Sequence, residues 1–213
     1  MLRATLPLLI ALIVAGCGTT SQRMTAHASF GCSSTDYKGG QFQGSTDDGC
    51  GYKLIGRIGG GVKQPIIDTP EKGEPIDSEG RPDNLLEAEL GYVRHGNMDF
   101  NGLWLGTPDT GTIKADGFLL GLVYTRRLND RFDLFASGGA HRWKVKENEV
   151  FGGMPESRSA SGTSPYLGLG GRYWIRSNIA IRGSWERFVN VGDQGKTGEG
   201  DIDNLWLGID YLF

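Results

Sequence analysis

The chain has 213 residues and a formal net charge of −3, with 22 Lys and Arg against 25 Asp and Glu. This length corresponds to one domain, and the balanced charge excludes the basic surface that nucleic-acid binding requires. Glycine is unusually frequent, at 35 residues against an average of about 7%, and it recurs inside strand-like runs such as 138–139 and 168–171. Glycine weakens an ordinary strand, but it lets the strands of a small barrel curve around a narrow interior.

The first sixteen residues have the pattern of an export signal. Arg3 supplies a positive charge, residues 6–15 form an apolar run too short to span a bilayer, and the tetrapeptide Val14-Ala15-Gly16-Cys17 follows. That tetrapeptide resembles the lipobox of bacterial lipoproteins, which implies cleavage before Cys17 and lipid attachment to this residue. The alternative is an ordinary signal peptide cleaved later, after residues 26–28. Both interpretations predict an exported protein.

Residues 17–51 are rich in Ser, Thr, Gly and Asp, which indicates a polar periplasmic tether. If Cys17 is acylated, Cys32 and Cys50 remain as a pair in an oxidising compartment, so we predict a disulfide between them. Two thiols and three scattered histidines do not form a cluster of metal ligands. We therefore predict no metal and no cofactor.

Alternation of apolar and polar residues begins at residue 52 and predicts seven strands. They cover residues 52–63, 85–95, 113–126, 132–146, 164–175, 179–190 and 204–213. Long connections at 96–112, 147–163 and 191–203 alternate with short turns at 127–131 and 176–178. A transmembrane strand needs about 9–11 residues, and outer-membrane barrels have long outer loops and short periplasmic turns. Residues 52–213 are therefore predicted to form a transmembrane β-barrel.

Seven strands leave one unaccounted for, because single-chain bacterial barrels have even strand numbers. The eighth strand lies either within residues 35–46 of the tether or within residues 64–84. Four prolines interrupt the second segment, and proline cannot donate to a sheet ladder. We therefore prefer the position in the tether, which makes 52–63 the second strand.

The last ten residues place five apolar side chains on one strand face: Leu205, Leu207, Ile209, Tyr211 and Phe213. Such an ending resembles the closing strand of bacterial outer-membrane barrels, where it is similar to the signal read by the barrel-insertion machinery. With Gly170-Gly171, Tyr173 and Trp185 on the preceding strands, residues 85–213 resemble the OmpA-like family. The resemblance implies an all-β, eight-stranded antiparallel up-and-down barrel, integral to the Gram-negative outer membrane, with a periplasmic N-terminus.

Strand parity directs seven charged side chains towards the interior: Arg57, Glu87, Glu89, Arg172, Arg182, Glu186 and Asp210. An unpaired charge in a low-dielectric interior is costly, so we predict a charge-paired network without a wide pore. The alternative is that some of these residues lie near the rims and are solvated. The resemblance implies a gate-like network of salt bridges, although Arg172 stands where OmpA-like barrels often carry an acid. Six outward aromatic residues are candidates for the interfacial girdle: Tyr92, Tyr124, Tyr173, Trp185, Tyr211 and Phe213.

These patterns predict a structural or surface-interaction protein with a charge-plugged lumen and outer loops that contact a surface or host partner. Outer-membrane lipid and lipopolysaccharide would surround it. One alternative is a narrow, low-conductance channel. Another is a lipid A-modifying enzyme that uses His95 with Asn97 and Asp99, and His141 from a second strand. Because the His-x-Ser motif of lipid A deacylases is absent, we predict that the chain is not an enzyme.

Overall fold

The computed structural model describes residues 21–37, 42–62 and 81–213, which form strands and short connections. The strands are β1 (Ser21–Tyr37), β2 (Phe42–Thr46), β3 (Gly49–Val62), β4 (Asn84–Trp104), β5 (Thr107–Arg127), β6 (Phe132–Phe151), β7 (Met154–Arg176), β8 (Ile179–Asp193) and β9 (Gly198–Leu212). In this part of the chain no helix is long and apolar enough to cross a membrane.

The strands close into a single antiparallel ring. Each strand from β3 to β9 pairs with its neighbour in sequence, and β1 joins β3 to β9. Strands β2 and β3 share one position in the ring, because β2 pairs with residues 100–104 of β4 and β3 pairs with residues 84–94. The ring therefore has eight members, which confirms the predicted all-β, eight-stranded barrel.

The first ring strand lies elsewhere than predicted. β1 spans Ser21–Tyr37, mostly upstream of the expected 35–46, and the segment predicted as a tether supplies β1, β2 and the start of β3. β3 pairs directly with β4, and most of the alternative segment 64–84 lies outside the described residues. The inward face of β1 carries Thr25, His27 and Ser29. Because these side chains are polar, the sequence pattern of β1 resembles that of a linker. The predicted signal peptide and the lipidation site Cys17 lie outside the described residues.

The prediction of long outer loops was wrong, because those residues continue the strands. β4 and β5 are joined through residues 105–106, β6 and β7 through 152–153, and β8 and β9 through 194–197. Gly106, Gly152 and Gly153 have φ angles of 80°, 55° and 85°, which tight hairpin turns require and glycine adopts without strain. We call this the hairpin end of the barrel. The opposite end, where β1 begins and β9 stops, is the terminal end.

The two faces of the wall differ as the alternation predicts. The outer face carries a belt of exposed apolar side chains that includes Phe30, Leu90, Phe118, Leu169, Leu205 and Leu207. The inner face changes along the barrel axis. Charged side chains fill the middle of the ring, while an apolar cluster that includes Met98, Phe100, Ile113, Val145 and Ile202 fills the interior towards the hairpin end. The interior is therefore packed, as expected for eight strands.

Candidate functional site: the charged interior

The seven charged residues predicted to face inward all lie buried in the middle of the ring, each at most 3% exposed. The register explains how they meet. Arg57 lies opposite Glu89 across β3 and β4, which places opposite charges side by side. Arg172 lies opposite Arg182 across β7 and β8, and such a pair of like charges is unfavourable without an intervening acid. Asp210 on β9 supplies that acid.

Asp210 is the centre of the network. Its carboxylate lies 2.7 Å from Arg172 Nε, 3.5 Å from Arg57 Nη1 and 3.8 Å from Arg182 Nη1. The Nδ1 atom of His27 lies 2.6 Å from the other oxygen of the same carboxylate. One acid from the last strand therefore joins β1, β3, β7 and β8 within the interior.

Glu87 and Glu89 on β4 complete the pairing. Arg57 Nε donates to Glu89 at 2.9 Å, and Arg172 Nη2 donates to Glu87 at 3.0 Å. The hydroxyl of Thr25 also donates to Glu87 at 3.1 Å. Arg57 and Arg172 thus each bridge an acid on β4 and Asp210 on β9, which ties opposite sides of the barrel together.

The sequence analysis did not single out Lys53, which is fully buried and forms an ion pair with Glu186. The sequence does indicate that Lys53 faces inward, because it lies four positions before Arg57 on the same strand and therefore on the same face. With Lys53 included, the network contains four cations and four acids, so its formal charge is balanced. The guanidinium of Arg182 also lies 3.5 Å from the centre of the Phe135 ring, a cation–π contact that offsets part of its desolvation.

Tyr166 is a second residue that the sequence analysis missed. Its hydroxyl donates to Glu89 from across the interior. Gly121 makes this contact possible, because a Cβ atom there would lie 2.1 Å from the Tyr166 hydroxyl oxygen. Gly121, which faces inward, therefore leaves the space in which the Tyr166 side chain reaches Glu89.

An aromatic layer separates the charged network from the apolar cluster at the hairpin end. The rings of His95 and His141 have centroids 5.2 Å apart, and Phe188 lies 4.6 Å from His95 and 4.8 Å from His141. His95 Nδ1 lies 3.2 Å from Asn204 Oδ1. This layer, together with the apolar cluster, fills the interior towards the hairpin end.

The constellation considered for a lipid A-modifying enzyme does not form. The pairing of β4 with β5 has a bulge between Arg94 and Gly96, so His95 points inward while Asn97 and Asp99 point outward. His141 does lie beside His95, but both side chains are buried in the interior and face away from the lipid.

The terminal end of the interior is closed by a smaller cluster. Arg81 stacks on Trp174 at 4.5 Å from the ring centre, and its Nη1 atom lies 3.8 Å from Asp133. Trp174 Nε1 donates to the same carboxylate at 2.6 Å. The charged network is therefore covered on both sides.

Cys32 and Cys50 lie opposite each other on β1 and β3 and form a disulfide on the outer wall, with their Cα atoms 4.0 Å apart. The six girdle candidates also lie on the outer face. Four of them are near the terminal end: Tyr124, Tyr173, Tyr211 and Phe213. Tyr92 and Trp185 lie towards the hairpin end, where Tyr92 packs against Phe118 at 5.4 Å between ring centroids.

Residues 81–213 match the model of the OmpA-like transmembrane domain. Outer membrane protein A of Klebsiella pneumoniae is 30% identical over 131 residues, which is 60% of this chain and 37% of that protein. Outer membrane protein A of Salmonella typhi is 28% identical over 127 residues, 59% of this chain and 35% of the relative. The match thus spans little more than a third of the length of these curated relatives.

Solved structures show the same fold. The outer membrane protein OprG of Pseudomonas aeruginosa has a TM-score of 0.58 at 12% identity, with 92% of this chain and 98% of that chain covered. Ail of Yersinia pestis, in complex with the heparin analogue sucrose octasulfate, has a TM-score of 0.50 at 17% identity, with 91% and 99% covered. The chain belongs to the OmpA-like transmembrane domain family and is an integral β-barrel of the Gram-negative outer membrane.

Proposed function

We propose that this barrel is a non-conducting surface-interaction protein whose hairpin end contacts other molecules outside the cell. We take the hairpin end to lie outside, because the strands there continue well beyond the apolar belt before they turn, and the long connections between membrane-spanning segments of outer-membrane barrels are extracellular. The predicted periplasmic N-terminus agrees with this orientation, because β1 begins at the terminal end. The observation that carries the proposal is the apolar character of two hairpin tips. Leu105 and Met154 are each 71% exposed, and Leu103 and Val150 near them are also exposed.

The backbone at Leu105 supports a contact role. Its φ angle is 52°, in the left-handed region, which costs an ordinary residue about 1–2 kcal/mol. A large apolar side chain is thus held in solvent at a strained position, where glycine would be more stable. Strain of this kind concentrates at functional sites. Ail, a barrel of the same fold, is named an attachment invasion locus protein, which is the same class of role.

The tip variant Leu105→Gly tests the contact role. Glycine removes the apolar side chain and relaxes the backbone, so we expect a barrel at least as stable as the wild type. Adhesion of cells that express the barrel would be measured on epithelial monolayers, on heparin-coated surfaces and by aggregation of the cells with one another. We expect Leu105→Gly to reduce adhesion. Equal adhesion of expressing and non-expressing cells in all three assays would exclude the contact role.

The packed interior supports the non-conducting part of the proposal. Three layers obstruct the path: the cluster of Arg81 and Trp174, the charged network around Asp210, and the apolar cluster at the hairpin end. Reconstitution of the purified barrel in a planar bilayer tests this. We expect no conductance steps above those of the bare membrane.

A narrow channel is the second candidate function, and unpaired polar atoms in the interior favour it. All three guanidinium nitrogens of Arg182 and the hydroxyls of Ser29, Ser137 and Ser184 have no hydrogen-bond partner among the described residues. Buried polar atoms of this kind commonly hold ordered water, and a connected file of water would conduct ions. Small, reproducible conductance steps from the wild-type barrel would favour this candidate over a closed lumen.

The last strand would serve as the signal for the barrel-insertion machinery, and the apolar belt would contact membrane lipid. The outward side chains of Tyr211 and Phe213 pack together at 4.9 Å between ring centroids. Deletion of Phe213 tests this part, and heat-modifiability of the outer-membrane fraction on gels is the measurement. We expect a mobility shift on boiling for the wild type and its loss in the deletion variant.

A further inference from the structure

The outer wall carries five cations immediately beyond the apolar belt, on the side of the hairpin end. We call this surface the basic wall; it comprises Arg94 on β4, Lys114 on β5, and Arg142, Lys144 and Lys146 on β6. On β4 the outward residue before Arg94 is Tyr92, and on β6 the residue before Arg142 is Ala140. Arg94 and Arg142 thus lie where their strands leave the belt, and Lys114, Lys144 and Lys146 lie further towards the hairpin end.

The register brings these cations together without a carboxylate partner, although Arg142 Nη1 donates a hydrogen bond to the Thr163 hydroxyl at 3.3 Å. Lys114 lies directly opposite Lys146 across β5 and β6, and like charges in this arrangement destabilise a sheet. Among the described residues, none of the five forms an ion pair within 4.0 Å. Asp116 lies between Arg94 and Lys144 in the register, but its carboxylate accepts a hydrogen bond from the Tyr92 hydroxyl at 2.9 Å, and one acid cannot balance five cations. An anion from outside the chain would relieve the repulsion.

The opposite side of the barrel differs at the corresponding strand positions. Arg187 on β8 is bound by both carboxylate oxygens of Asp203 on β9, with its Nε atom 2.9 Å from one of them. Further along β9, towards the hairpin end, the partly exposed charges are those of Asp201 and Glu199. The basic wall is therefore confined to one side of the barrel. A protein that bound anionic lipids without selectivity would carry such cations around its whole circumference.

A groove of about 820 Å³ adjoins the basic wall on the same strands, further towards the hairpin end. Its outward side chains are carboxylates, amides and hydroxyls, including Asp99, Asn101, Thr110, Asn148 and Ser157. These groups form hydrogen bonds with the hydroxyls of sugars, whereas the acids repel further phosphate. Cations at the membrane interface beneath a sugar-binding groove match a phosphorylated saccharide better than a simple phospholipid.

We propose that the basic wall binds the phosphates of lipopolysaccharide in the outer leaflet, with the core sugars lying in the adjoining groove. This inference rests on the orientation adopted in the proposed function, in which the hairpin end is outside. The apolar belt below the wall would contact the acyl chains of the same molecule. Charge-assisted contacts from several cations hold the phosphates at the membrane surface.

The test uses the full barrel folded in detergent and a triple variant, Arg142→Gln, Lys144→Gln and Lys146→Gln. The matched control is Arg126→Gln, Arg131→Gln and Arg176→Gln, which removes three exposed cations at the terminal end. Affinity would be measured for lipopolysaccharide, for dephosphorylated lipopolysaccharide and for phosphatidylglycerol. We expect the basic-wall variant to lose at least about tenfold in affinity for lipopolysaccharide, while the control stays near the wild type.

Three results would overturn the proposal. They are equal binding of phosphorylated and dephosphorylated lipopolysaccharide by the wild type, equal loss in both triple variants, and equal binding of phosphatidylglycerol, which would show only an affinity for anionic membranes. Heat-modifiability of each variant checks that the barrel is folded. Leu105→Gly should bind lipopolysaccharide like the wild type, so failure of the contact role and failure of this inference are distinguishable.

Discussion

The interior network and the charged residues on the outer wall use the same side-chain types in opposite ways. Inside, Arg172 donates to Glu87 and contacts Asp210, and all three are shielded from water. Outside, Arg187 has an equally close partner in Asp203, yet both side chains are partly exposed. Water and salt screen an exposed pair, whereas a buried charge without its partner keeps its full desolvation cost. The depth of a charge therefore decides how much its partner matters.

The largest effect is expected from Asp210→Ala. It would leave three buried guanidiniums without their shared counter-ion and destabilise the barrel by about 3–5 kcal/mol. The matched outer variant, Asp203→Ala, would cost at most about 1 kcal/mol. The free energy of unfolding would be measured by urea titration in lipid vesicles with tryptophan fluorescence. Equal losses for the two variants would contradict the difference between the regions.

The disulfide is an outer-wall interaction whose loss should cost much more than the loss of an exposed ion pair. Cys32 and Cys50 are 18 residues apart in sequence, and closing a loop of this size stabilises a fold by about 3 kcal/mol, mainly through the unfolded chain. Solvent does not screen this effect, so we expect Cys32→Ser with Cys50→Ser to lose about 2–3 kcal/mol. A reducing agent should lower wild-type stability to the same level and leave the double variant unchanged.

A pair of glycine variants compares the same change on the two faces. Gly121→Ala would displace the Tyr166 hydroxyl from Glu89, at an expected cost of about 1–3 kcal/mol. A Cβ atom at Gly183, on the outer face, meets nothing within 4 Å. We therefore expect Gly183→Ala to change the free energy of unfolding by less than about 0.5 kcal/mol. A large loss at Gly183 would show that strand curvature, not interior packing, requires these glycines.

The smallest effect is expected at Asp109, near the hairpin end. Burial raises the pKa of its carboxyl, and its Oδ1 atom has no hydrogen-bond partner among the described residues. An acid with a raised folded-state pKa favours folding only while protonated, so wild-type stability falls as pH rises from the ordinary value of about 3.9 through the raised one. Asp109→Asn cannot titrate there.

Measuring the free energy of unfolding at pH 3 and pH 7 checks whether wild-type stability falls as the pH rises. We expect Asp109→Asn to gain stability over the wild type at pH 7, by less than about 1 kcal/mol, and to lose that advantage at pH 3. A variant that is less stable than the wild type at pH 7 would show that the carboxylate has a favourable partner.

The sequence predicted the ring from residue 52 onward because one face of each strand is apolar and strand parity has a period of two. It predicted the interior charges for the same reason. It failed at β1, whose inward residues are polar and whose outward residues include Ala26 and Ala28, so the apolar stripe was weak. Long-range pairing with β9 forms this strand, and pairing partners far apart in the chain leave no local signal.

The connections at the hairpin end were also mispredicted because local sequence carries no signal for them. Residues 96–112 lack an apolar stripe, yet they continue β4 and β5 because every residue from 97 to 104 pairs with a residue from 107 to 114. Beyond the bilayer a strand needs no apolar outer face, so hydrophobic alternation cannot mark it. The bulge near Gly96 also shifted the parity, which is why His95 and Asn97 were expected on one face but point to opposite faces.

The amino-acid sequence by itself determined the wall from residue 52 onward, the apolar belt and seven of the eight interior charges, because each follows from local alternation. Only the tertiary structure decided the partners. Closure of the ring sets the register that brings Asp210 to Arg172, Arg57, Arg182 and His27. It also gathers the cations of the basic wall from three strands. Both arrangements depend on residues from different strands, which come together only when the strands pair and the barrel closes.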